Sequence, residues 1–155
     1  MFHIVLPALE NVHNTISTTG LGSQIKDATG MGVLGTDFPP TDGALRPELG
    51  DYLNRNIGFI VNNGIPLLVN IYPYLLYINN KAQINLKYVL FTSADGVVVS
   101  GVWYQNLFYA ILDAVYVALE ESGGSSMEIV VSESGCLLLE ETRHRLIMLE
   151  RTTRI

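Results

Sequence analysis

The sequence predicts an α/β fold: a parallel sheet with helices packed outside it. Three observations carry this. Strand-like and helix-like segments alternate along the chain. Residues 66–72 are nearly all apolar, as in a strand buried on both faces. Residues 104–121 carry a broad apolar stripe at helical spacing. Strands separated by helices pair in parallel, because each return to the sheet needs a crossover.

The elements follow in order. Residues 6–17 place Leu6, Leu9, Val12, His13 and Ile16 at three-and-four spacing, which predicts an amphipathic helix. Gly20 and Gly22 terminate it. Residues 24–28 are expected to form a short strand. Residues 29–42, glycine-rich and closed by Pro39-Pro40, read as loop. A second helix is predicted over 48–62 from Leu49, Tyr52, Leu53, Ile57, Phe59 and Ile60. The buried strand over 66–72 comes next. Within 87–99, Tyr88-Val89-Leu90-Phe91 and Val97-Val98-Val99 flank Ala94-Asp95-Gly96, and Asp-Gly favours a tight hairpin turn. Leu107, Phe108, Ile111, Leu112, Val115, Tyr116 and Leu119 make residues 104–121 the strongest helix, stopped by Gly123-Gly124. Trp103 is expected to pack near its start. Residues 128–132 form the last strand.

Composition narrows the function classes. A chain of 155 residues is about one domain by length. Its 48% hydrophobic and 15% charged residues argue against disorder. A net charge of −6 disfavours nucleic acid and anionic membrane as partners. Cys136 is the only cysteine, so no internal disulfide forms. His3, His13 and His144 stand in unrelated segments, so no metal site is expected. No cofactor is predicted. Met1-Phe-His-Ile-Val-Leu-Pro-Ala lacks a basic start and is interrupted by Pro7, so no secretory signal is predicted. No apolar run is long enough for a membrane span.

One residue stands out chemically. Glu133 follows the apolar run Ile129-Val130-Val131 and precedes Ser134-Gly135. A buried parallel strand ending in an acid sets that acid at the carboxyl edge of the sheet, where α/β proteins place their chemistry. The competing reading is a solvated glutamate in a loop.

Four blocks carry a resemblance. Val130-Val131-Ser132-Glu133-Ser134-Gly135 resembles the Val-Val-Ser-Glu-Ser-Gly-Trp-Pro signature of the plant endo-1,3-β-glucanases, glycoside hydrolase family seventeen. Gly32-Val33-Leu34-Gly35-Thr36-Asp37-Phe38-Pro39-Pro40 resembles that family's Gly-Val-Leu-Gly-Thr-Ser-Tyr-Pro-Pro loop. Pro66-Leu67-Leu68-Val69-Asn70-Ile71-Tyr72-Pro73-Tyr74 is similar to its sixth-strand motif. Asn106-Leu107-Phe108-Tyr109-Ala110-Ile111-Leu112-Asp113-Ala114-Val115-Tyr116 resembles the helix before the signature strand. Order and spacing also agree, from about Ile4 to Gly135.

The resemblance implies a partial (β/α)8 barrel over residues 1–135, running from helix four through strand seven. A whole barrel of this kind takes about 250 residues. Residues 136–155 resemble nothing in the family. Where the family continues Trp-Pro-Ser-Ala-Gly-Gly, this chain reads Cys136-Leu137-Leu138-Leu139-Glu140-Glu141. One codon choice for the family segment is TGG CCT TCT GCT GGA GGA G, and deleting one G from its first codon gives TGC CTT CTG CTG GAG GAG, which encodes those six residues. Two origins therefore stand open for the tail, a frameshift and a genuine spliced end. The stretch Asp27-Ala28-Thr29-Gly30-Met31 also departs from the family's Val-Ser-Thr-Ala pattern.

The implied activity is retaining hydrolysis of the O-glycosidic bonds of 1,3-β-glucan, in carbohydrate metabolism and plant defence. That chemistry takes two carboxyl groups about 5–5.5 Å apart, one attacking the anomeric carbon and one protonating the departing oxygen. The resemblance gives Glu133 the nucleophile role. Asn70, Tyr72 and Tyr74 fall at the carboxyl end of the strand over 66–72, and aromatic faces stack on sugar rings while amides bond hydroxyls, so all three are candidate contacts to the glucan. For either tyrosine, core packing is the competing reading. Phe38 and Pro39-Pro40 shape a loop, and Cys136 stands where the family has a tryptophan. The partner acid belongs to a Gly-Asn-Glu motif on strand four, and no Asn-Glu pair occurs in this chain. Glu10, before Asn11, falls on the first predicted helix. The chain alone is accordingly expected to be inactive. The alternatives are a non-catalytic remnant that keeps weak glucan contacts, and an interaction module whose open sheet edges pair with another chain. Family members are secreted to the cell wall or held in the vacuole, which leaves the destination of this product open.

Overall fold

A computed structural model describes residues 4–25, 27–30, 34–36, 39–47 and 50–135. Phe38, Cys136 and the proposed tail over 136–155 lie outside the described residues.

The element order is α1 (Val5–Thr18), β1 (Thr29–Gly30), β2 (Leu34–Thr36), a 3-10 turn (Pro40–Asp42), β3 (Ala44–Leu45), α2 (Gly50–Asn63), β4 (Leu67–Ile71), α3 (Pro73–Asn79), α4 (Leu86–Val89), β5 (Val97–Val99), β6 (Val102–Tyr104), α5 (Leu107–Glu121) and β7 (Ile129–Ser134). The expected parallel sheet is present, in the order β1-β4-β7. Thr29 lies opposite Leu67, and Leu67 opposite Ile129. Both pairings are parallel.

Three helices end by one device. After α2, Gly64 takes a positive φ of 61°. Its N–H donates to the Val61 carbonyl (3.3 Å), and that of Ile65 donates to the Ile60 carbonyl (3.0 Å). This is a Schellman cap, which satisfies carbonyls the helix leaves orphaned. Gly123 and Gly124 repeat it after α5, and Gly20 and Leu21 after α1. The caps of α2 and α5 turn the chain into β4 and β7, so each strand enters at a fixed point.

The core lies between one face of the sheet and two helices. Leu53, Ile57 and Ile60 of α2 meet Leu67, Val69 and Ile71 of β4, and Leu107, Ile111, Val115 and Leu119 of α5; all are buried. β4 is buried on that face alone, because Leu68 is half-buried and Asn70 exposed. The expectation of burial on both faces is corrected accordingly. α1 buries only Leu9, and its Val12 is 51% exposed.

Other expectations are revised. The strand expected over 24–28 is displaced to Thr29–Gly30, since the N–H groups of Gln24 and Ile25 are taken by the Leu21 carbonyl, each at 2.9 Å. The stretch expected to be loop over 29–42 contains β2, which pairs antiparallel with β3, and the 3-10 turn. Tyr88 and Val89 are helical rather than extended. Asn85 caps α4 by accepting from the Lys87 N–H, and its carbonyl accepts from Tyr88 and Val89. The hairpin therefore forms further on, where β5 pairs with β6 around Ser100 (φ 51°) and Gly101 (φ 84°). Trp103 is not packed at a helix start. It lies in β6, is 57% exposed, and donates its indole N–H to the Asp95 carbonyl at 3.1 Å. α5 begins at Leu107 because buried Asn106 caps it, accepting from the Tyr109 N–H at 3.2 Å. α3, opened by Pro73 in its first turn, was not foreseen.

Gly43 lies so close to α5 that an added Cβ would stand 2.3 Å from the Ala114 carbonyl oxygen. Backbone cannot retreat as a flexible side chain can. Gly43→Ala is therefore expected to lower stability by about 1–3 kcal/mol, read from the urea midpoint.

Candidate active site

The carboxyl ends of β4 and β7 bring the chemistry together. Pairing runs evenly from Leu67–Ile129 to Val69–Val131, then skips a residue so that Asn70 lies opposite Glu133. Ser132 is the extra residue of a β-bulge. Asn70 points away from the packed face, where Leu67, Val69 and Ile71 are buried, because side chains alternate along a strand. Glu133, at the same register position, stands beside it and is exposed. Tyr72 follows β4 directly, and its hydroxyl donates to Oε2 of Glu133. Ser132 donates to Oδ1 of Asn70 at 2.8 Å, with the Val69 carbonyl at 3.4 Å.

The bond to Glu133 raises the Tyr72 phenol above its ordinary value of 10.0, with desolvation and the carboxylate charge adding to it. A raised folded-state value means the bond is intact below pH 10 and is lost as pH rises through that value. Glu133→Gln removes the charge, so the Tyr72 titration is expected to move down toward 10. A 13C titration of the Tyr72 ring reads this directly.

Asn70, Tyr72 and Glu133 thus form one cluster. Tyr74 stands apart from it in α3, half-buried, with its ring centroid 5.7 Å from that of Tyr77. Ser132 was not singled out from sequence. The signal available was its place next to Glu133 within the Ser-Glu-Ser-Gly block.

The electrostatics are simple. β1, β4 and β7 contain no acid besides Glu133. Among the described residues, no group of three or more His, Cys, Asp or Glu is arranged to hold a metal ion, and no helix is long and apolar enough to cross a membrane. A second polar pair, His13 Nδ1 with Asp27 Oδ2 at 3.1 Å, lines a cavity of about 210 Å³ with Asn63 and Ile65. Asp27 and Ile65 precede β1 and β4, so this cavity sits at the amino edge, opposite Glu133.

An exposed carboxylate, an amide and a phenol at the carboxyl edge of parallel strands form a polar site suited to a neutral hydroxylated ligand. The family model for glycosyl hydrolases family 17 matches residues 2–136, and the chain belongs to that family. It is similar to a glucan endo-1,3-beta-glucosidase of Vitis vinifera, 49% identical over 134 residues, covering 84% of this chain and 39% of that protein. It is also similar to the acidic isoform PR-N of the same activity from Nicotiana tabacum, 44% identical over 133 residues, covering 84% of this chain and 47% of that one. Among solved structures it resembles CJP38, a beta-1,3-glucanase and allergen of Cryptomeria japonica pollen, with a TM-score of 0.74 and 35% identity over 83% of this chain and 41% of that one. The chain thus spans less than half the length of these relatives.

Proposed function

We propose that this chain supplies the nucleophile side of a retaining endo-1,3-β-glucanase site, with 1,3-β-glucan as substrate. Residues 1–135 belong to a (β/α)8 barrel, from helix four through strand seven, and residues 136–155 are a tail unrelated to it; the family match ending at residue 136 supports that boundary. The observation that carries the reading is the cluster of Glu133, Tyr72 and Asn70 at one sheet edge. Tyr72 engages Oε2 of Glu133, which leaves Oε1 to attack the anomeric carbon. The amide of Asn70 suits sugar hydroxyls beside that carbon. Tyr74, in α3 with its ring against Tyr77, is a further glucan contact outside that cluster.

The nucleophile can be tested without its acid partner. A dinitrophenolate departs without protonation, so a dinitrophenyl β-1,3-linked glucoside needs only the attacking carboxylate. The Glu133 oxygen bonds to the anomeric carbon as the C–O bond to the phenolate breaks. Intact-mass and peptide mapping are expected to show a glycosyl adduct on Glu133, absent from Glu133→Gln. An adduct on another residue, or none in either protein, overturns the assignment.

The open face of the sheet, with Leu68 half-buried and Val130 39% exposed, favours a second reading: a non-catalytic fragment that binds glucan or another chain through that face. Elution as a monomer in size-exclusion chromatography counts against the protein-pairing form of it.

A further inference from the structure

Regular pairing beyond Val69–Val131 would set Ser132 opposite Asn70 and Glu133 opposite Ile71. Residues opposite one another share a face, and Ile71 is 1% exposed on the packed face. The carboxylate would then be driven among apolar side chains, at a heavy desolvation cost. The bulge at Ser132 turns Glu133 onto the Asn70 face instead. The same residue fixes what Asn70 offers. An amide has one acceptor oxygen and two N–H donors. With Ser132 Oγ donating to Oδ1 at 2.8 Å, the oxygen is engaged and the Nδ2 donors remain.

We propose that Ser132 is a positioning residue that holds the β7 bulge and locks the Asn70 amide with its donors beside the Glu133 carboxylate. The pair then reads a glucose hydroxyl in both its roles: the hydroxyl accepts from Asn70 and donates to Glu133. The role in recognition rests on the glucan reading above. The lock itself does not.

The test uses the whole chain, labelled with 15N, as wild type, Ser132→Ala and Ser132→Thr. Asn70→Asp assigns the Asn70 side-chain resonances. In the wild type, the Asn70 amide pair is expected to be displaced from free-asparagine positions. Ser132→Ala returns it to those positions, and Ser132→Thr, which restores the hydroxyl, keeps it displaced. Laminaritriose binding is expected to weaken about tenfold in Ser132→Ala and to recover within about threefold in Ser132→Thr. Unchanged Asn70 resonances in Ser132→Ala overturn the proposal. So does failure of Ser132→Thr to restore them, which also decides the matter if Ser132→Ala does not fold. If the resonances respond as expected and the wild type does not bind laminaritriose, the lock stands and the glucan reading falls.

Discussion

Laminarin incubated with the 155-residue chain is expected to be cleaved at least roughly 10²–10⁴-fold more slowly than by a full-length member of the family, the range that general acid–base assistance contributes. The ether-like oxygen of an unactivated glucan leaves poorly unless it is protonated as the bond breaks. Glu133 accepts the Tyr72 hydroxyl, and no second acid stands on β1, β4 or β7 to protonate that oxygen. Imperfect placement of the substrate adds to the loss. Reducing-sugar release measures it. Turnover within tenfold of a full-length enzyme, abolished by Glu133→Gln, would show that a proton donor is supplied by other residues of this chain.

Leu67→Ala is expected to lower stability by about 2–5 kcal/mol. Leu67 is fully buried, opens β4, and pairs with both Thr29 and Ile129. Its truncation leaves a void between the sheet and the helices that the two neighbouring strands cannot close independently. Val98→Ala makes the contrast. Val98 is 64% exposed on the hairpin, and its truncation is expected to stay within about 0.5 kcal/mol. Urea unfolding of both variants measures the difference. Equal effects would mean that the hairpin belongs to the cooperative core.

Much of the framework was legible because it is written locally. Gly64 was not singled out, but Gly20 and the Gly123-Gly124 pair were, and Gly20, Gly64 and Gly123 mark helix ends through the positive φ that glycine adopts without strain. The apolar runs around Leu67 and Ile129 gave the strands, and the stripe from Leu107 to Leu119 gave α5. What depends on competing local bonds was misread. Tyr88-Val89 has strand-like composition, but the Asn85 cap captures it for a helix. The turn of the hairpin needs Ser100 at φ 51°, which residue type does not advertise. The gathering of Asn70, Tyr72 and Glu133 followed from strand ends and from family resemblance. The bulge at Ser132 did not, since it exists only in the pairing of two strands from distant parts of the chain. Burial on one face of β4 was hidden for a similar reason: Leu68 and Val69 look alike in sequence and differ only in what covers them.

The parallel pairing of β4 with β7 has a consequence for how the chain comes to be folded. Leu67 meets Ile129 only after 62 further residues have been made, the difference of their two positions. Its upstream partner β1 supplies just two residues of pairing. During synthesis the middle strand therefore waits, half-clothed, until β7 leaves the ribosome. Such distant contacts close slowly, and the apolar strand is open to wrong partners in the interval. A nascent chain halted before Ile129 should hence bind chaperones, and one extended past Ser134 should release them.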